Sequence, residues 1–227
     1  MAIMPGVHCL NRPGKGAFTS PNPVGCILHR TENPRFSQSA ANFHTTPHYP
    51  HFLVGKQGEI VQVSDTNQKT SHVGNANSYY IGIETSSIAA RSGYSHRQDP
   101  KTIRDPLTPA QGQSLRRVVD WVSSTHSIPK VGPPSLKEIL DARGIWHGFC
   151  NHADVSLAIP SPGDHEEGFE DAEFQLLGIW PSHTRQAESS MTELLRKLDR
   201  RELSADDRRK ADALDRFLSR LGKQISP

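Results

Sequence analysis

Two short apolar runs that each end in a chemically capable side chain limit what this chain can become. Val24–Leu28 (V-G-C-I-L) passes directly into His29-Arg30-Thr31, and Tyr79–Ile83 (Y-Y-I-G-I) passes into Glu84. Runs this short and apolar read as buried strands, and a strand that ends in a polar residue delivers it to the edge of the sheet, where α/β proteins place their sites. Two more β-rich runs, Phe52–Val54 and Ile60–Val63, flank a Gly-containing turn at Lys56–Gly58 and form a hairpin signal. Thr108 followed by Pro109 then opens a helix, with an N-cap and proline at the first helical position. Leu115, Val118, Val119 and Val122 line one face of that helix and suit it to packing on a sheet. A weaker helix is expected around Ser37–Asn42, and a short one over Leu136–Ala142. These elements specify an α/β class.

The chemistry collects in Gly144–Phe169, which sets His147, Cys150, His152, Asp154, Asp164, His165, Glu166 and Glu167 around a Pro/Gly-rich turn. Each of these side chains can bind zinc, and a catalytic zinc takes three protein ligands and keeps one position open. His152 and the H-E-E cluster stand at the two ends of one loop, so a further ligand has to come from elsewhere. His29 is the natural candidate, although a histidine capping a strand end reads equally well. Glu84 is open in the same way: an unpaired buried carboxylate is costly, so it lies at an exposed strand end or takes part in chemistry. A polar solvated loop is the plain alternative for 144–169.

Composition narrows the function classes. The net charge of +2 provides no field for nucleic acid, and the 12 histidines favour metal or proton-transfer chemistry. Cys9, Cys26 and Cys150 are odd in number and lack framework spacing, which argues against a disulfide scaffold. No apolar run approaches a membrane span. The N-terminus lacks a signal-peptide pattern, so synthesis in the cytoplasm is expected, with any wall substrate reached after release or delivery. Residues 1–23, Gly/Pro-rich and polar, read as an extended arm. Residues 24–180 read as the main domain and 187–227 as a helical C-terminal extension. In that extension Met191, Leu194, Leu195 and Leu198 make one stripe, and Leu214, Phe217, Leu218 and Leu221 a second, as in a helical hairpin. It is either an accessory packed on the domain or a docking element for a delivery or immunity partner.

In order, the pieces are a strand ending in H-R-T, the hairpin P-H-F-L-V-G-K-Q-G-E-I-V-Q-V, an H-V-G loop, I-G-I-E, the helix L-T-P-A-Q-G-Q-S-L, N-H-A-D-V and D-H-E-E-G-F. Over roughly residues 24–175 this order resembles the zinc-dependent N-acetylmuramoyl-L-alanine amidases of the type 2 class. Their superfamily includes phage lysins and peptidoglycan recognition proteins. The resemblance implies a central mixed β-sheet flanked by helices and one zinc per chain. By motif position it makes His29 and His152 metal ligands and Glu84 the catalytic glutamate. It puts His165 near the developing oxyanion and His51, His72 and Asn77 along the substrate cleft. The third-ligand slot departs from the family: H-E-E-G-F places Glu167 where an Asp or Cys followed by proline is usual, with Asp164 and Cys150 as rivals. The implied substrate is peptidoglycan or a muropeptide, cleaved between N-acetylmuramic acid and L-alanine. The role could be that of a phage endolysin, a delivered antibacterial effector or a recycling enzyme. A non-catalytic muropeptide binder is the competing class.

Overall fold

A computed structural model describes residues 1–87, 105–156, 158, 159 and 169–181. The chain divides into two compact units, Met1–Ser182 and His183–Pro227. The second unit, and with it the expected helical extension, lies outside the described residues.

The first unit runs β1 (His8–Arg12), β2 (Gly25–Arg30), α1 (Phe36–Thr45), β3 (Phe52–Val54), β4 (Ile60–Ser64), a 3-10 turn (Gly74–Ala76) and β5 (Tyr80–Thr85). It continues with α2 (Pro109–His126), α3 (Leu136–Asp141), β6 (Phe149–Asn151), α4 (His152–Ser156) and α5 (Asp171–Leu176). The strands make one sheet in the order β1-β4-β3-β5-β2-β6. Among the described residues only the β3–β4 hairpin of this sheet is antiparallel; its other pairings are parallel. This is the mixed sheet with flanking helices that the motif order implies.

β2 is buried along its whole length, as a strand covered on both faces should be. Its side chains alternate between two cores. Cys26 and Leu28 join Phe52, Val54, Ile81, Ile83 and Phe149 on the face covered by α2, whose Leu115, Val118, Val119 and Val122 are all fully buried. Ile27 points the other way, into a core with Tyr80, Cys150, Val73, Ile139 and Val155. Helix α2 starts as expected, with the Thr108 hydroxyl accepting from the Gln111 amide at 3.1 Å and Pro109 in the first turn.

One strand goes beyond the sequence reading. Within the segment expected to be an extended arm, His8–Arg12 adds to the sheet edge beside β4. The chain ahead of it is pinned as well: the Met4 amide donates to Gln62 Oε1 at 2.8 Å, and Gln62 Nε2 donates to the Ala2 carbonyl at 2.9 Å.

Candidate active site

The site lies on the face opposite α2, where β2, β5 and β6 end. His29 and Glu84 are register partners on the adjacent parallel strands β2 and β5, so both side chains project from the same face. Cys150 pairs with Ile27 and Asn151 with Leu28. The next residue along, His152, therefore arrives beside His29 as α4 begins. The His29 and His152 rings are 5.0 Å apart between centroids and nearly perpendicular, and both side chains are buried. Glu84 is partly exposed between buried neighbours, at the open end of its strand, with Leu53 as its register partner on β3.

Two more imidazoles extend the row. His72 meets His29 edge-on with centroids 5.2 Å apart, and His51 meets His72 at 5.8 Å. The His72 ring rests directly on the sheet because β5 carries glycine beneath it; a Cβ on Gly82 would lie 2.5 Å from His72 Nδ1. His72 Nε2 donates to the Tyr80 carbonyl at 3.1 Å, and its Nδ1 lies 3.0 Å from His29 Nε2. Burial, followed by the nearby His29 and His51, holds the His72 pKa well below the usual histidine value.

His51 is fully buried, and both its nitrogens are bonded to backbone. Nδ1 accepts from the Gly82 amide at 3.0 Å and Nε2 donates to the Gln68 carbonyl at 2.8 Å. Burial is the main reason its pKa falls to about 4. Asn77 Oδ1 accepts from the His72 and Val73 amides, both at 2.8 Å, and so shapes the loop that carries His72. The three residues expected to line the cleft thus have both ring nitrogens, or the amide oxygen, engaged within the protein. Burial pushes the Cys150 thiol pKa well above its ordinary value.

Two residues not singled out by the sequence reading anchor the site. Arg30, immediately after His29 and only 2% exposed, grips both Glu173 carboxylate oxygens at 2.6 and 2.7 Å. It also donates to Ser87 Oγ and the Asp105 carbonyl, and stacks 4.6 Å over the Phe169 ring. Asn151 clamps the Phe169 backbone from both sides, accepting its amide at 2.7 Å and donating to its carbonyl at 3.3 Å. The only sequence signal for either was a polar residue directly beside a buried run. Asp164, His165, Glu166 and Glu167 lie outside the described residues, so the third-ligand and oxyanion expectations rest on sequence. Among the described residues no group of three His, Cys, Asp or Glu side chains is arranged to hold a metal ion.

The family model described as N-acetylmuramoyl-L-alanine amidase matches residues 19–166, well over half of the chain. The chain belongs to that amidase family. Among solved structures it resembles the Staphylococcus aureus hydrolase AmiA, determined in complex with its ligand. That match has a TM-score of 0.53 and 15% identity, and covers 78% of this chain and 83% of that one. The E. coli amidase AmiD, determined with anhydro-N-acetylmuramic acid-L-Ala-D-gamma-Glu-L-Lys, matches with a TM-score of 0.53 and 19% identity, over 82% of this chain and 74% of that one. At these identities the likeness is one of fold. No match was found among curated proteins. The motif reading and the family match agree on the type 2 N-acetylmuramoyl-L-alanine amidases.

Proposed function

We propose that this amidase-family chain hydrolyses the amide between N-acetylmuramic acid and L-alanine in peptidoglycan or a muropeptide, using one zinc ion. The observation that carries the proposal is the His29–Glu84 register pair, with the His152 ring 5.0 Å from that of His29. A ligating pair and a proton-accepting carboxylate at one open sheet end are what metal-assisted amide hydrolysis needs.

The donor set fits zinc. Two buried imidazoles at nearly right angles can each turn one nitrogen to a common point, and neutral imidazole is a common zinc donor. Glu167, with Asp164 as its rival, is the third donor. The chemistry a bound zinc supplies is an acidified water, with its pKa lowered to about 7. Glu84 takes the water's proton and returns it to the leaving L-alanine nitrogen, which requires hydrogen-bond reach to both. His165, protonated, stabilises the oxyanion that develops on the lactyl carbonyl. His29 and His152 hold their positions because the strands beneath them are fixed by the sheet.

We place the activity at the cell wall, reached after release or delivery, with residues 187–227 as a docking element for a delivery or immunity partner. The test combines metal analysis of the purified protein with mass spectrometry of sacculi digests. One zinc per chain and free stem peptides beginning with L-alanine support the reading. Glu84→Gln should keep its zinc and lose turnover by at least about 100-fold, the lower end for a general base. Protein that binds sacculi and releases no stem peptide would instead be a muropeptide-binding module.

A further inference from the structure

The imidazole row contains a hydrogen bond whose direction can be worked out. The Tyr80 carbonyl can only accept, so His72 Nε2 carries a proton and donates it. The ring is pressed against the sheet over Gly82, and an imidazole that donates at Nε2 keeps its lone pair on Nδ1. His72 Nδ1 is therefore the acceptor, and His29 Nε2 is the donor across the 3.0 Å contact. With its proton on Nε2, the neutral His29 ring has its lone pair on Nδ1. A metal-ligating histidine is characteristically oriented by a partner on its other nitrogen, which fixes both tautomer and ring plane.

We propose that His72 is a positioning residue for His29: its Nδ1 holds the His29 Nε2–H, so that His29 presents Nδ1 to the metal. This rests on the zinc reading above and gives His72 a role that excludes direct contact with substrate through its nitrogens, since both are occupied. The supports of His72 serve the same end. Gly82 leaves room for its ring, and Asn77 Oδ1 fixes its backbone amide at 2.8 Å.

Two substitutions separate the two bonds of the ring. In His72→Asn the side-chain oxygen can sit near the Nδ1 position and still accept from His29, whereas the bond to Tyr80 is lost. In His72→Gln the amide can reach the Tyr80 carbonyl, and the acceptor for His29 is lost. Zinc affinity is measured by chelator competition, and ring tautomers by nitrogen-detected histidine NMR on metal-free protein. Thermal unfolding establishes that both variants are folded.

The wild type should show His29 as the Nε2–H tautomer. His72→Gln should bind zinc about 10- to 100-fold more weakly, the usual loss for an outer-shell partner, and His72→Asn should stay within about threefold of wild type. KM for a muropeptide should be unchanged in both. Gln and Asn variants that lose zinc equally, or a Gln variant that binds like wild type with the His29 tautomer intact, would overturn the proposal. A wild-type protein that takes up no zinc would defeat the zinc reading instead. The spectra then decide on their own: a His29 Nε2–H signal that survives in His72→Gln overturns the positioning role, and one lost in Gln but kept in Asn supports it.

Discussion

His51 should make this protein acid-sensitive, by an amount that can be worked out. The folded protein holds its pKa at about 4, against 6.5 for an ordinary histidine, chiefly because the ring is fully buried, and Nδ1 accepts from the Gly82 amide. Protonating Nδ1 would set two donors against each other. Between pH 4 and 6.5 the unfolded chain takes up a proton that the folded chain refuses. The contribution is therefore complete above about pH 6.5 and is lost as pH falls toward 4. At 1.36 kcal/mol per pH unit the whole window is worth about 3.4 kcal/mol, and about 2 kcal/mol has gone by pH 5. Urea unfolding of wild type and His51→Gln at pH 7.5 and pH 5 isolates this share, because the other histidines titrate in both proteins. Wild type should lose about 2 kcal/mol more than the variant across that interval. Equal losses would refute the reasoning and mean that His51 titrates normally in the fold.

Other perturbations test the frame around the site. Arg30→Met leaves the Glu173 carboxylate without its buried partner and should cost about 3–5 kcal/mol in urea unfolding, the usual cost of breaking one side of a buried pair. Gly82→Ala drives a Cβ into His72 Nδ1. It should destabilise by about 1–3 kcal/mol and weaken zinc binding along with it, as read by denaturant melts and chelator competition. His152→Ala should abolish zinc uptake with little change in the circular dichroism of the fold; retained stoichiometric zinc would show that another residue is the ligand.

The hairpin and α2 were legible because local rules decide them: a Gly-containing turn between β-rich runs, a Thr-Pro start and a single apolar stripe. The His29–Glu84 pair was legible for a related reason, since both end apolar runs whose burial leaves few places for them. β1 was not legible. It lies at the sheet edge with no fully buried residue, and Asn11 at φ 51 and a register shift after Cys9 interrupt any alternation. The bonding of His51 and His72 was out of reach for another reason. Whether an imidazole faces a cleft or a carbonyl depends on Gly82, Gln68 and Tyr80, and no spacing rule links those residues to it. Arg30 shows the same limit, because its partner Glu173 lies 143 residues away.

The parallel pairing of β2 with β5 has a consequence for how this scaffold can vary. Neighbouring strands are held about 4.8 Å apart by their ladder of backbone bonds, so the spacing of His29 and Glu84 is set by main chain and owes nothing to any loop. Loops around the rim can be lengthened, shortened or exchanged while His29 and Glu84 keep their separation. What the arrangement does not tolerate is slippage: a one-residue shift of β5 against β2 would send Glu84 through the sheet into the core against α2.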